Sequence, residues 1–319
     1  MKLARQTAIV SLLILLSLTL VADPTYLGTW TGAKRVNFPS GIAADSKGNV
    51  YVVDTGNHCI QKFSAKGEFV LQWGSDGTGS GQFSFPGGIA VDSKDNVYVA
   101  DTQNYRIQKF DSNGNFIKEF GGMGSGAGQF CYPYGIGIDS SDNFYVVDSW
   151  NYRIQKFDSN CNFIKEWGSK GSANGQFSSP YGIVVDHNDK VYVADSENHR
   201  IQKFDSNGNF IKKWGSQGSG NGQFKTPFQL AVDEYNNIYV ADSENHRVQR
   251  FNSSGNFQLA WGTMGPGQGQ FYSVRGVTIN SLGSIYVVDT GNDRIQYFTP
   301  TKLVLNSLTT KNLGGNRIE

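Results

Sequence analysis

Self-similarity constrains this chain more than any other feature. The stretch VYVADTQNYRIQKFDSNGNFIKEFG, Val97 to Gly121, returns almost unchanged as VYVADSENHRIQKFDSNGNFIKKWG at Val191 to Gly215. Aligned copies have a period of 47 residues without drift. Asp45, Asp92, Asp139, Asp186, Asp233 and Asn280 mark one position; Asp54, Asp101, Asp148, Asp195, Asp242 and Asp289 mark another. Six copies cover Phe38 to Phe298. A period of this length makes each copy one supersecondary unit, stacked on its neighbours because it cannot bury its apolar surface alone.

Within a copy every signal is for strand. GIAVD and NVYVAD are short β-branched and aromatic runs split by the turn chemistry of SKD, RIQKF follows a polar link, and NFIKEF follows DSNG. No apolar spacing of 3.6 residues is present. The expectation is an all-β protein, a six-bladed β-propeller of four-stranded antiparallel blades. The first two strands, apolar at nearly every position, suit sheets covered on both faces. Lys109, Lys118 and Glu119 place the last two at the wet outer rim. The sixth copy stops after its third strand, and YLGTW at Tyr26 to Trp30 has the spacing of FVLQW at Phe69 to Trp73. An N-terminal strand is therefore expected to close the ring, with residues 23–300 as the propeller and 301–319 as a loosely held tail.

Ahead of that strand, Lys2 and Arg5 precede an uncharged run with an apolar core from Leu12 to Val21, ending at Ala22. Residues 1–22 have the pattern of a secretory signal peptide, too short for a spanning helix. The mature chain is expected to be secreted or extracytoplasmic, without a membrane span and monomeric. The 28 basic and 27 acidic residues become 26 and 27 without the leader, and no basic run attracts nucleic acid. Cys59, Cys131 and Cys161 occupy three different places in the repeat, so unpaired thiols are expected, as is no bridge between Cys131 and Cys161. The acceptor sequence Asn252-Ser253-Ser254 falls in the turn equivalent to that of Cys161.

The pattern P-x-G-I-A-V-D, V-Y-V-A-D and N-x-R-I-Q-K-F resembles the NHL repeat, a family of six-bladed propellers. It departs from that pattern at Cys59 for Arg, at Gln229 for Gly, and in the sixth copy, where RGVTIN replaces GGIAVD. Peptide-amidating lyases are exported propellers similar to this one, and the resemblance would place their zinc-binding His just after the inner-strand Pro. Those positions are Ser40, Gly87, Tyr134, Tyr181, Phe228 and Arg275, none of them His.

Most repeated polar residues read as scaffold. Arg106, Arg153, Arg200, Arg247 and Arg294 are expected to pair with carboxylates between blades, with Asp and Asn holding the link. The DSKGN-type turns lack the spacing of a calcium loop, and the glycine-rich GSGAGQF segments lack the Lys and helix of a phosphate loop. His58, His199 and His246 share one position and alternate with Tyr105, Tyr152 and Asp293. No cofactor or metal is expected. Specificity should sit where the symmetry breaks, on the face bearing the Pro-x and Asp-Thr links. Tyr134, Trp150, Tyr152, Tyr181, His199, Phe228, Gln229, His246 and Arg275 are the candidate ligand-binding residues, at a concave mouth for a peptide, protein or glycan. The alternatives are a lactonase- or lyase-type propeller enzyme and, by family analogy alone, a ubiquitin-ligase- or RNA-associated propeller.

Overall fold

The computed structural model describes residues 20–21, 23–31, 35–300 and 303–304. Six four-stranded antiparallel sheets form the ring. Most of the leader and of the tail lies outside the described residues; Leu20–Val21 and Leu303–Val304 pair as a two-stranded sheet. In each blade a short inner strand such as Ile42–Ala44 pairs with a second strand, Val50–Asp54, then a third, Cys59–Phe63, then an outer one, Phe69–Trp73. Antiparallel pairing sends the inner-strand starts and the second-to-third links to one face, here called upper. The Asp45-type turns and the DSNG-type turns go to the other, the lower face.

The core is six slabs rather than one centre. Val97, Val99 and Ile107-type side chains pack across each seam against the next blade, so every second strand is buried along its length. Ring closure is as expected: Tyr26–Trp30 pairs antiparallel with Arg294–Phe298, with Trp30 opposite Ile295. Trp30 is buried and stacks on Phe63 of the first blade at 5.5 Å, which ties the last blade to the first.

The third strand corrects the sequence expectation. It is buried, and its lysine turns inward. Lys109 lies 3.2 Å from Asp92 and over the ring of Tyr98, whose hydroxyl donates to the same carboxylate at 3.3 Å. The long aliphatic stem lets the amine reach an internal partner while its carbons pack. Burial, then the carboxylate, pushes the Tyr98 phenol far up, so it stays a neutral donor. In the sixth blade Asn280 replaces the Asp and Tyr297 replaces the Lys, and Asn280 donates to Tyr286 at 3.1 Å. Both charges of the pair are gone together, which explains the single break in the Asp45 series. A similar exchange surrounds Cys161. A Cβ at Gly114 would sit 2.8 Å from Trp73 of the preceding blade, whereas Cys161 packs on the same buried cluster as Phe120, the smaller ring at Trp73's position.

Candidate functional site

The upper face rests on a buried polar lattice. Asp148, at the end of its second strand, accepts from the Cys131 amide at 2.7 Å, Asn151 at 2.9 Å, Arg153 at 2.8 Å and Gln155 at 3.1 Å. Arg153 also reaches the carbonyls of Gly126 and Gln129 in the incoming loop. The arginine series therefore pairs with the carboxylate of its own blade; only its carbonyl contacts tie neighbouring segments together, because the loop between blades folds over the guanidinium. Cys59 takes the Arg place in the first blade, its thiol 3.7 Å from Asp54.

After each link, one turn of 3-10 helix ends on a left-handed residue, the position of His58, Tyr105, Tyr152, His199, His246 and Asp293, with φ between 52° and 57°. His199 and His246 accept through Nδ1 from the backbone amides of Thr226 and Ser273, at 3.2 and 3.0 Å. His58 does the same for Phe85, and Asp293 for Phe38. Carboxylate and imidazole are interchangeable here because the position needs an acceptor that spans to the next blade. Tyr152 instead lies under the Lys170 amine.

At the axis, Tyr134, Tyr181 and Phe228 converge. Tyr181 and Phe228 stack at 4.7 Å, and Tyr134 stands edge-on to both, at 5.3 and 5.1 Å. Burial pushes the Tyr134 and Tyr181 phenols up. The Arg275 guanidinium lies 4.5 Å from the Phe38 ring centre and 5.2 Å from that of Phe228. No ion pair involves Arg275 among the described residues. Gln229 reaches across the axis, donating to the Ile42 carbonyl at 2.8 Å and accepting from its amide at 3.2 Å. About 20 Å³ is left among these groups, the space of one water. The expected concave mouth is thus filled. Phe228, 7% exposed, is part of the seam between the fifth and sixth blades, so it holds structure as well as facing the axis.

The accessible surface is a ring of aromatics around this plug. Trp150 is 59% exposed and stacks on Tyr132 at 4.2 Å, and Tyr105 stands edge-on to Tyr132. Phe38 and Phe85 are each 46% exposed, and Tyr272 stacks on His246. Phe38, Phe85 and Tyr132 precede the inner-strand Pro with φ of 50°, 45° and 53°. Their signal in the sequence is the residue before the inner-strand Pro, or before Val274 in the sixth copy, aromatic in the first three copies and Ser or Thr in the rest.

The sequence model of the NHL repeat matches residues 36–63, 83–110, 130–157, 177–204, 226–251 and 271–298. The chain belongs to the NHL-repeat family. No curated protein matches it in sequence. Among solved structures, this NHL propeller is similar to a streptogramin B lyase, with 14% identity and a TM-score of 0.60 over 86% of this chain and 98% of that one. Virginiamycin B lyase from Staphylococcus aureus matches with 14% identity and a TM-score of 0.60 over 87% and 99%. A protein of unknown function from Bacteroides thetaiotaomicron matches with 16% identity and a TM-score of 0.67 over 87% and 72%. At such identities the likeness is one of fold.

Proposed function

We propose that this NHL propeller is a binding module that takes a peptide, protein or glycan on its upper face. The observation that carries this reading is the aromatic arc of exposed Phe38, Phe85 and Trp150 with half-buried Tyr132, next to a guanidinium that has no carboxylate partner among the described residues. Soluble surfaces seldom hold such rings together without use. Flat rings stack on sugars or on aromatic side chains, worth on the order of 1 kcal/mol per contact, and the Arg275 fork suits an acidic group on the ligand. With the axis plugged, contact is made on a platform rather than in a pit. A lyase-type reading draws on shared fold alone: the positions after the inner-strand Pro hold no His, and among the described residues no three His, Cys, Asp or Glu side chains are placed to hold one metal ion.

The test is an array of peptides and oligosaccharides probed with the purified protein and with Phe85→Ala/Trp150→Ala. Binding by the wild type that the double variant loses, at unchanged melting temperature, supports the reading. Equal binding by both proteins moves the site elsewhere.

A further inference from the structure

The axis is closed above by Gln229 and open below. Beneath the Gln229 side chain the inner strands line a cavity of about 350 Å³, where one aliphatic residue from each blade, Ala44, Val91, Ile138, Val185, Val232 and Ile279, alternates with polar backbone. It widens to a mouth of about 480 Å³ on the lower face. Five aspartates and His187 line that mouth, with no lysine or arginine. Asp45, Asp92 and Asp139 each face a lysine of their own blade, at 3.7, 3.2 and 3.3 Å. Among the described residues the Asp142 carboxylate accepts from the amide and hydroxyl of Ser93 alone, at 3.0 and 2.8 Å.

The rim is laced from blade to blade. Ser46 donates to Asp95, Ser93 to Asp142, Ser140 to Asp189, and the His187 amide to Asn236. The acceptor position then becomes Gly283 and, across the closure, Gly48. Where the lacing stops, a cleft of about 220 Å³ leads off the mouth past Glu234, Tyr235 and Asn280. It shares His187, Ile279 and Ser281 with the mouth.

A concave channel that offers a ring of aliphatic side chains, one per blade, with polar groups between them and at its opening has the make-up of a small-molecule site. The charge at this opening is negative where it is uncompensated. We propose that the lower end of the axis is a second binding site, for a small amphiphile with an aliphatic body and a cationic head. The body fills the cavity up to Gln229, and the head meets Asp142. None of Phe38, Phe85, Tyr132, Trp150 and Arg275 lines this site, which stands or falls without the upper platform.

The experiment titrates the full chain calorimetrically with n-octylammonium, n-octanol and n-octanoate, and repeats the titrations on Ala44→Phe, Asp142→Asn and Phe85→Ala/Trp150→Ala. Octylammonium should saturate at one equivalent and bind at least tenfold tighter than octanoate. Ala44→Phe should abolish binding of all three, and Asp142→Asn should weaken octylammonium several-fold while leaving octanol unchanged. The upper-face double variant should bind octylammonium like the wild type. Absence of saturable octylammonium binding, a preference for octanoate, or unaltered binding by a folded Ala44→Phe overturns the proposal. Should Ala44→Phe not fold, a crystal of the wild type with octylammonium decides: the chain below Gln229 supports the site, and the chain elsewhere overturns it.

Discussion

The upper and lower faces of this ring are built from the same repeat yet are held by different means. Above, each link is fastened by a buried carboxylate with four donors, and Gln229 closes the axis beside a cluster of aromatic side chains. Below, the turns are stitched by exposed Ser-to-Asp bonds, and the axis stays open. A buried lattice leaves the side chains above it free to vary without loss of fold, so the upper face can carry exposed rings. A laced rim depends on small residues, and its side-chain acceptor goes where a blade has glycine there; across the closure the Ser281 hydroxyl donates instead to the Ser46 carbonyl at 3.4 Å.

The largest effect that could break this contrast is at the lattice. Asp148→Ala leaves Arg153 and Gln155 buried without their carboxylate, a loss of about 3–5 kcal/mol for a broken buried pair. Thermal melting should show it as a fall of many degrees; a small shift would mean that the upper lattice is no stronger than the lower lacing. Phe228→Ala removes a ring from the seam as well as from the axis and should cost a similar amount, about 3–5 kcal/mol. If it melts like the wild type, the plug is an ornament of the surface and not part of the core.

A smaller loss, about 1–3 kcal/mol for two bonds to the Ile42 backbone, is expected for Gln229→Gly. The same position is Gly in the other five blades, so the ring should still close. The crystal structure of that variant should show water continuous from the upper to the lower mouth. An axis still shut would put the seal in the three rings alone. Smallest is Ser93→Ala, which keeps the amide bond to Asp142 and drops only the exposed hydroxyl bond, under about 0.5 kcal/mol. A melting change of several degrees there would erase the difference between the two faces.

The period alone made the blades, the four strands and the closing strand legible, because each follows from local β patterning repeated in register. Lys109 was misjudged since charge was taken for exposure, whereas its stem carries the amine to Asp92. Asp148 and Arg153 were recognised as scaffold, but whether the pair sits within or between blades depends on how the loop folds over it. Gln229 was legible as a broken glycine; that its amide spans the axis to Ile42, 187 residues away, has no local signature. Phe38 and Phe85 directly precede Pro39 and Pro86, and their left-handed backbone, which has no local signature, turns them outward.

Trp150 reports most directly on the claim that the upper platform meets the ligand, being the tryptophan that is more than half exposed among the described residues. Its emission should be followed while the tightest ligand from the array is titrated into wild-type and Trp150→Phe protein. The account predicts a saturable shift in the wild type that vanishes in Trp150→Phe. Full binding by calorimetry with no change in wild-type emission, or the same emission change in both proteins, would contradict it.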